Sequence, residues 1–454
     1  MKTYHIQTYG CAMNASDSER IAAVLEGAGF TKASNGNEAV LVVVNMCSIR
    51  QSAVDRIFSL ADKIRQNNKN CKLLLTGCIV KKDLSKFSLK YDFILPVKSL
   101  AKWPKILNKE KYFGFPDERR MQENELLNIS YLKTQPKYLK NFSVSIPISY
   151  GCDNFCTYCV VPYTRGPLIC RGFADIVNEA KAAVKNGAKE IWLLGQNVND
   201  YKSKVQISNA KSIGKKPKEY DFADLIQEIN KIPGDFWVRF TSPHPAQVNA
   251  KFIEALAKAE KFTPYLNLPV QSGDDQILKA MNRPYTVAKY LDLIKRLRGA
   301  FIKYRQGQEK TLAISTDTIV GFPNESEKQF NNTCKLYRKV KFDMAYLAEY
   351  SPRQGTPAAK NDNIKNSVKK ARYDKLNKIL GQTVLANNKR FVGKTLKALV
   401  FDKKSNKNIY FAKTRHYATV VFESDKNLIG QFINLKIQKA ESFILKGEIT
   451  RQND

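Results

Sequence analysis

The chain has 454 residues, 43% of them hydrophobic and 26% charged, ordinary usage for a globular protein of several domains, which excludes a fibrous or wholly disordered one. Lys and Arg outnumber Asp and Glu by 75 to 42, a formal net charge of +33; that surplus suits a polyanionic partner such as nucleic acid, although a lysine-rich chain also arises without one. No apolar run approaches the ~20 residues of a membrane span, and the start Met1-Lys-Thr-Tyr-His5 has no apolar core of the signal type, so a cytoplasmic protein without membrane contact is expected.

Strand-like and helix-like runs alternate over the first part of the chain. Strands are predicted at 3–8, 40–44, 72–76 and 92–95. Helices are predicted at 16–28, with Ser16 as N-cap and Glu19 closing a capping box, at 50–67 and at 99–107. Such alternation predicts an open parallel sheet, and in such sheets sites form beyond the carboxyl ends of the strands. Cys11, Cys47 and Cys78 fall just past the ends of the first three strands, in Thr8-Tyr-Gly-Cys11, Cys47-Ser-Ile-Arg50 and Thr76-Gly-Cys78. One such cysteine is ordinary packing; three in register predict a shared ligand site. Cys71 and Cys334 lack that placement and are expected to be structural.

Residues 116–141 are polar without a clear period and read as a linker between an N-terminal domain, 1–115, and a second βα series over 142–372. Strands of this series are predicted at 143–149, 190–194, 236–240, 265–268, 312–319 and 344–350, with helical patterns between them. Six βα units predict an incomplete parallel barrel. The lysine-rich stretch 201–219 breaks the rhythm and reads as a basic loop, solvated or touching substrate. A connecting helix is expected at 373–388. Five short strand-like runs over 389–454, punctuated by Gly393, Gly430 and Gly447, predict a small antiparallel β-barrel of the OB type, and its basic surplus suits a nucleic-acid platform.

The chain contains nine Cys and three His. An odd number of thiols without an export signal argues for ligands or catalysis rather than disulfides. Tyr150-Gly-Cys152-Asp-Asn-Phe-Cys156-Thr-Tyr-Cys159 is C-x3-C-x2-C directly after a predicted barrel strand. Soft thiolates suit iron, and three of them can grip three corners of a [4Fe-4S] cube. A zinc site would need a fourth ligand. Cys170 stands in range, yet no second paired knuckle exists, so a zinc-containing RNA-binding protein is the remote alternative.

This motif, followed by Val160-Val-Pro162-Tyr163-Thr164-Arg165-Gly166, resembles the radical S-adenosylmethionine methylthiotransferase family. So do Leu194-Gly-Gln196-Asn197, Leu268-Pro-Val-Gln271-Ser272-Gly273 and Thr316-Asp317-Thr-Ile-Val320-Gly321-Phe322-Pro323. Cys47-Ser-Ile-Arg50 and Tyr350-Ser-Pro-Arg353-Gln-Gly355-Thr356-Pro357 resemble its tRNA 2-methylthio-N6-dimethylallyladenosine (MiaB-like) branch; Met46, Ile79-Val80 and Cys170 depart from the usual pattern. The resemblance implies a radical SAM barrel flanked by a methylthiotransferase domain and a TRAM-like barrel. It implies two [4Fe-4S] clusters, one on Cys152, Cys156 and Cys159 that cleaves S-adenosyl-L-methionine, and one on Cys11, Cys47 and Cys78 that carries the sulfur. It implies sulfur and methyl insertion at C2 of N6-isopentenyladenosine at position 37 of tRNA. Threonylcarbamoyl-adenosine in tRNA and a ribosomal-protein aspartate are the alternative substrates within the family. Tyr158, Gln196, Asn197, Gly273 and Gly321 are expected contacts of S-adenosylmethionine. A monomer is expected, served by an electron donor of flavodoxin or ferredoxin type and by a sulfur source.

Overall fold

A computed structural model describes residues 2–48, 51–108, 112–113, 130–205, 218–405 and 407–450. In the N-terminal region the strands are β1 (Thr3–Tyr9), β2 (Thr31–Lys32), β3 (Leu41–Met46), β4 (Lys72–Gly77), β5 (Phe93–Ile94) and β6 (Tyr112–Phe113). They form one parallel sheet in the order β2-β1-β3-β4-β5-β6. β3 reads Leu-Val-Val-Val-Asn-Met and is buried throughout, as expected of a central parallel strand covered on both faces. The edge strands β2 and β6 are two residues each, too short to carry a periodic signal.

Helix α1 spans Ala12–Gly27 with Cys11 as its N-cap, and α2 spans Gln51–Asn67. The expected start at Ser16 is therefore corrected: the carbonyl of Cys11 accepts from Ala15 N at 3.2 Å, so the helix begins a full turn earlier. Ser16 is buried inside it, where its hydroxyl accepts from Arg20 Nη1 at 2.8 Å and donates to the Ser145 carbonyl at 3.3 Å. The polar face that imitated a capping box is an interface. In place of one helix at 99–107 there is a 3-10 turn, Val97–Lys102, running into the short helix Trp103–Ile106.

The second region holds six parallel barrel strands: β7 (Ser143–Pro147), β10 (Glu190–Leu194), β13 (Trp237–Phe240), β14 (Tyr265–Asn267), β15 (Ala313–Val320) and β16 (Met344–Glu349). They pair as β7-β10-β13 and β14-β15-β16, and a single parallel bridge, Val238 to Phe262, joins the two arcs. Helices α3 (Phe173–Lys185), α4 (Phe222–Asn230), α5 (Ala250–Lys258), α6 (Val287–Tyr304) and α7 (Glu327–Val340) cover the outside and share one continuous core with the strands. Two hairpins decorate the barrel. One pairs β8 (Ser149–Tyr150) with β9 (Ile169–Cys170); the other pairs β11 (Lys202–Val205) with β12 (Lys218–Asp221). The arms of the basic 201–219 stretch are thus a β-ladder, and its residues 206–217 lie outside the described residues.

The stretch 130–141, read as the end of a linker, is packed rather than free. Tyr131 is fully buried and meets Tyr150 edge-on at 5.5 Å, Lys137 N donates to the Glu19 carbonyl, and the Tyr138 hydroxyl donates to Glu179. Its polar side chains seal the seam between α1 and α3, which hydropathy alone cannot distinguish from solvent exposure. The connecting helix α8 is also longer than expected, Asn366–Asn388; its first turns pack Lys369 and Arg372 against Asp362 and Glu325.

The C-terminal strands β17 (Thr395–Lys403), β18 (Ile409–Thr414), β19 (Thr419–Glu423), β20 (Phe432–Ala440) and β21 (Leu445–Ile449) close into a barrel in the order β17-β18-β19-β21-β20. All pairs are antiparallel except β19 with β21. This barrel docks on the first residues of the central strands. Arg239 of β13 is buried, pairs with Glu190 at 2.7 Å, and donates to the carbonyls of Thr414 and Arg415. Trp237 packs on Phe432 with ring centroids 4.6 Å apart. No helix among the described residues is long and apolar enough to cross a membrane.

Candidate functional site

The parallel register of the N-terminal sheet aligns Tyr9, Met46 and Gly77 on adjacent strands. Cys11, Cys47 and Cys78 follow these residues, so the sheet delivers three thiols to one edge. Two glycines make the approach possible. A Cβ on Gly77, whose φ is +102°, would stand 2.2 Å from the Met46 carbonyl oxygen, and one on Gly10 would stand 2.5 Å from Asn14 Oδ1. Asn14 and Asn45 are fully buried and brace the edge: Asn14 Nδ2 donates to Asn45 Oδ1 at 2.9 Å, and Asn14 Oδ1 accepts from the Cys11 thiol at 3.3 Å. Cys78 is shifted toward thiolate. A hydrogen bond from Cys47 and the adjoining Arg165 guanidinium bring its pKa down to about 6 against the opposing effect of burial.

The second triad sits beyond β7, at the carboxyl end of the barrel strands, where sites of such barrels form. Each of its sulfurs accepts one N–H. Asn154 Nδ2 donates to Cys152 at 3.4 Å, Arg283 Nη1 to Cys156 at 3.7 Å, and the Val161 amide to Cys159 at 3.5 Å. A shell of donors aimed at sulfur stabilises thiolate rather than thiol, which is the form that binds iron. Burial alone acts in the opposite sense, raising Cys152 and pushing Cys159 up to about 12; metal loading at this triad therefore releases protons. None of the nine cysteines is in a disulfide. Among the described residues no three His, Cys, Asp or Glu side chains close on one point as the ligands of a single ion would.

A cavity of about 410 Å³ opens in front of Cys152, Cys156 and Cys159. Of the expected cofactor contacts, Tyr158, Gln196 and Asn197 line it. The Asn197 side chain is partly committed, since its Oδ1 accepts from the His244 amide at 3.1 Å and its amide group donates to Gln247. Gly273 and Gly321, the other two expected contacts, do not line this cavity. A Cβ on Gly273 would meet the Thr333 backbone of α7 at 2.5 Å, and one on Gly321 would meet Lys369 of α8 at 2.4 Å, so both allow close helix packing. Sequence alone does not say which neighbour a glycine faces.

Arg283, His244 and Asp317 also line the cavity, and sequence reasoning missed the first two. Arg283 is anchored by the Pro269 carbonyl and the Tyr285 hydroxyl. His244 Nδ1 accepts from the Ala246 amide at 3.3 Å, which leaves the proton on Nε2, and that buried atom has no hydrogen-bond partner. Burial and Arg283 lower the His244 pKa to about 3, so the ring is neutral. Burial raises Asp317, whose carboxylate accepts from Asn267 at 2.9 Å. Their only signals were a His beside two prolines and an Arg after Asn282.

The two triads face each other across the seam. The charge of Cys78 contributes to raising Cys159. Arg165, in the short helix Val161–Arg165 that follows Cys159, reaches Cys78 at 3.1 Å and Asp17 at 2.9 Å. Two further pairs tie the domains: the buried Arg20 with Glu179 at 3.0 Å, and Arg353 with the half-buried Asp83 at 3.3 Å. Arg353 belongs to the Tyr350–Pro357 motif, and Ala358 just after it donates to the Thr157 carbonyl of the cysteine loop.

Comparison with known proteins gives three family matches along the chain: the uncharacterized protein family UPF0004 over residues 3–95, the radical SAM superfamily over 146–337, and the TRAM domain over 389–450. Curated relatives named tRNA-2-methylthio-N(6)-dimethylallyladenosine synthase match over the full length. That of Dictyoglomus thermophilum is 36% identical, covering 100% of both chains; that of Alkaliphilus oremlandii is 35% identical, covering 99% of this chain and 93% of the relative. Among solved structures, the radical S-adenosylmethionine methyltransferase TsrM of Kitasatospora setae, with tryptophan and an aza analogue of S-adenosylmethionine bound, superposes with a TM-score of 0.54 at 14% identity, covering 79% of this chain and 75% of that one. That likeness is one of fold.

Proposed function

This chain belongs to the family of tRNA-2-methylthio-N(6)-dimethylallyladenosine synthases, radical S-adenosylmethionine transferases, and on that premise we propose that its two cysteine triads hold one [4Fe-4S] cluster each. The observation that carries the proposal is the pair of triads, each of three thiols, meeting across one seam beside an open cavity. The donor chemistry fits. Each triad supplies three soft sulfurs for a four-iron cube and so leaves one iron open to a small molecule. Arg165 Nη1 is buried without a partner at the dispersed triad, a donor suited to an anionic centre.

When bound, the two clusters and S-adenosylmethionine supply reductive cleavage of the sulfonium, hydrogen abstraction at C2 of the adenine, and the sulfur and methyl group inserted there. The chain's own residues bind and orient. Cys152, Cys156 and Cys159 place the first centre at the barrel mouth. Tyr158 and Gln196 form the walls against which the cofactor lies. Arg283 offers a fixed positive charge, suited to a carboxylate. His244 stays neutral and offers an Nε2–H donor. No general base is needed, because a C2–H bond is broken homolytically. The C-terminal barrel, basic and docked on the far side of the central barrel from the cysteines, grips the tRNA phosphates. The substrate is N6-isopentenyladenosine at position 37, next to the anticodon. An external one-electron donor of flavodoxin or ferredoxin type and a sulfur source complete the cycle, and a reducing cytoplasm suits nine cysteines of which none is in a disulfide.

The experiment is nucleoside analysis of tRNA from a deletion strain. Loss of 2-methylthio-N6-isopentenyladenosine with accumulation of the isopentenylated precursor is expected. Unchanged tRNA together with loss of a methylthio-aspartate in a ribosomal protein would overturn the substrate assignment.

A further inference from the structure

We infer that Arg165 is a positioning residue of the dispersed triad: a barrel side chain that donates to the Cys78 sulfur and thereby sets the reduction potential of the cluster held there. The inference rests on the reading that Cys11, Cys47 and Cys78 hold a cluster. Arg165 is 4% exposed although it is a charged residue in a five-residue helix. Its guanidinium spends its donors unevenly. Nε donates to Cys78 at 3.1 Å, Nη2 donates to Asp17 at 2.9 Å, and Nη1 is buried without a partner. The plane lies 5.2 Å from the Tyr150 ring, which backs it from the barrel side.

A latch between domains would be complete with Asp17 alone, and buried ion pairs contribute little net stability. Two other pairs already tie this seam. What Arg165 adds is an N–H on a ligand sulfur and a positive charge beside it. Hydrogen bonds to cluster sulfurs and local charge are the levers by which a protein tunes such a centre, because both favour its more negative, reduced state. Nη1 is left as a donor for further sulfur of the same centre. Asp17 holds the fork in this orientation and partly offsets its charge. Arg165 also follows Cys159 on one short loop, so the loop that carries one triad adjusts the other.

The test uses the full chain with Cys152, Cys156 and Cys159 replaced by Ala, reconstituted anaerobically, so that only the dispersed triad carries iron. Iron content, the EPR spectrum and the midpoint potential are read for that protein and for added Asp17→Asn, Asp17→Asn/Arg165→Gln and Arg165→Lys. The double variant replaces a buried ion pair by a neutral pair of similar shape, which avoids stranding a charge. Its potential is expected to fall relative to Asp17→Asn by about 59 mV for each tenfold loss in the reduction equilibrium, with the iron retained. Arg165→Lys keeps the charge but loses the Nε–H and is expected to fall by less; it carries the test if the double variant does not fold. Equal potentials in all variants at equal iron content would overturn the inference. Absence of a cluster from the parent protein would instead overturn the reading of the triad.

Discussion

Gly151, the residue before Cys152, offers a sharp perturbation of the local triad. Its φ is +75°, and a Cβ built there would stand 1.9 Å from the Pro167 carbonyl oxygen and 2.5 Å from that of Gly166. Both are backbone atoms, and the Gly166 carbonyl is the acceptor that fixes the Cys152 amide at 3.2 Å. Gly187, in the same barrel, also has a positive φ, +92°, but nothing lies within 4 Å of its Cβ position. Gly187→Ala therefore measures the backbone cost alone, ~1–2 kcal/mol for an L-residue in the left-handed region. Gly151→Ala adds an overpacking cost of ~1–3 kcal/mol, about 2–5 kcal/mol together. The strain is relieved by moving the loop that carries Cys152 or the Gly166–Pro167 backbone that fixes its amide. Urea unfolding of the barrel and iron content after anaerobic reconstitution read the two effects. The expected result is a larger loss of stability in Gly151→Ala and an iron content lower by the share of one cluster, with iron unchanged in Gly187→Ala. Equal stability losses and full iron in both variants would refute the argument that Gly151 sets the position of Cys152.

Neutralising the exposed lysines of the β17–β18 hairpin, Lys403, Lys404 and Lys407, to Gln should weaken tRNA binding. The dependence of log K on log salt should become shallower by about 0.9 or less for each phosphate contact removed; an unchanged slope would move the tRNA site elsewhere. Lys413 at the barrel–barrel junction is brought down to about 8 by burial, with Arg239 adding to the effect. An unfolded chain has lysine near 10.4, so between about pH 8 and 10.4 the unfolded state binds more protons and stability rises with pH. Lys413→Met should remove that rise, and a variant with the same pH slope as the parent would contradict the assignment.

The cysteine sites were legible because their signals are local or strictly periodic. C-x3-C-x2-C lies within one loop, and parallel strands ending in register make Cys11, Cys47 and Cys78 recognisable as a set. The seam between domains was not legible. Ser16, Asp17 and Arg20 are polar residues on a helix, and their partners Ser145, Arg165 and Glu179 lie far along the chain. For the same reason Tyr131 read as part of a linker, and Ser16 read as a cap. Arg165 stood inside a motif, yet its partner Cys78 precedes it in another domain. Gly273 and Gly321 are motif residues whose closest neighbours, Thr333 and Lys369, lie on helices that the motif itself does not name.

The central claim is that the two triads do different work, and 5′-deoxyadenosine formation in two triple variants tests it most directly. With Cys11, Cys47 and Cys78 replaced by Ala, iron should fall to roughly half, as expected on losing one of two [4Fe-4S] clusters; methylthiolation should vanish, and reductive cleavage of S-adenosylmethionine to 5′-deoxyadenosine should persist. With Cys152, Cys156 and Cys159 replaced, cleavage should be abolished while a cluster remains visible by Mössbauer spectroscopy. Cleavage that survives in the second variant and is lost in the first would contradict the account, because the roles would then belong to the opposite triads.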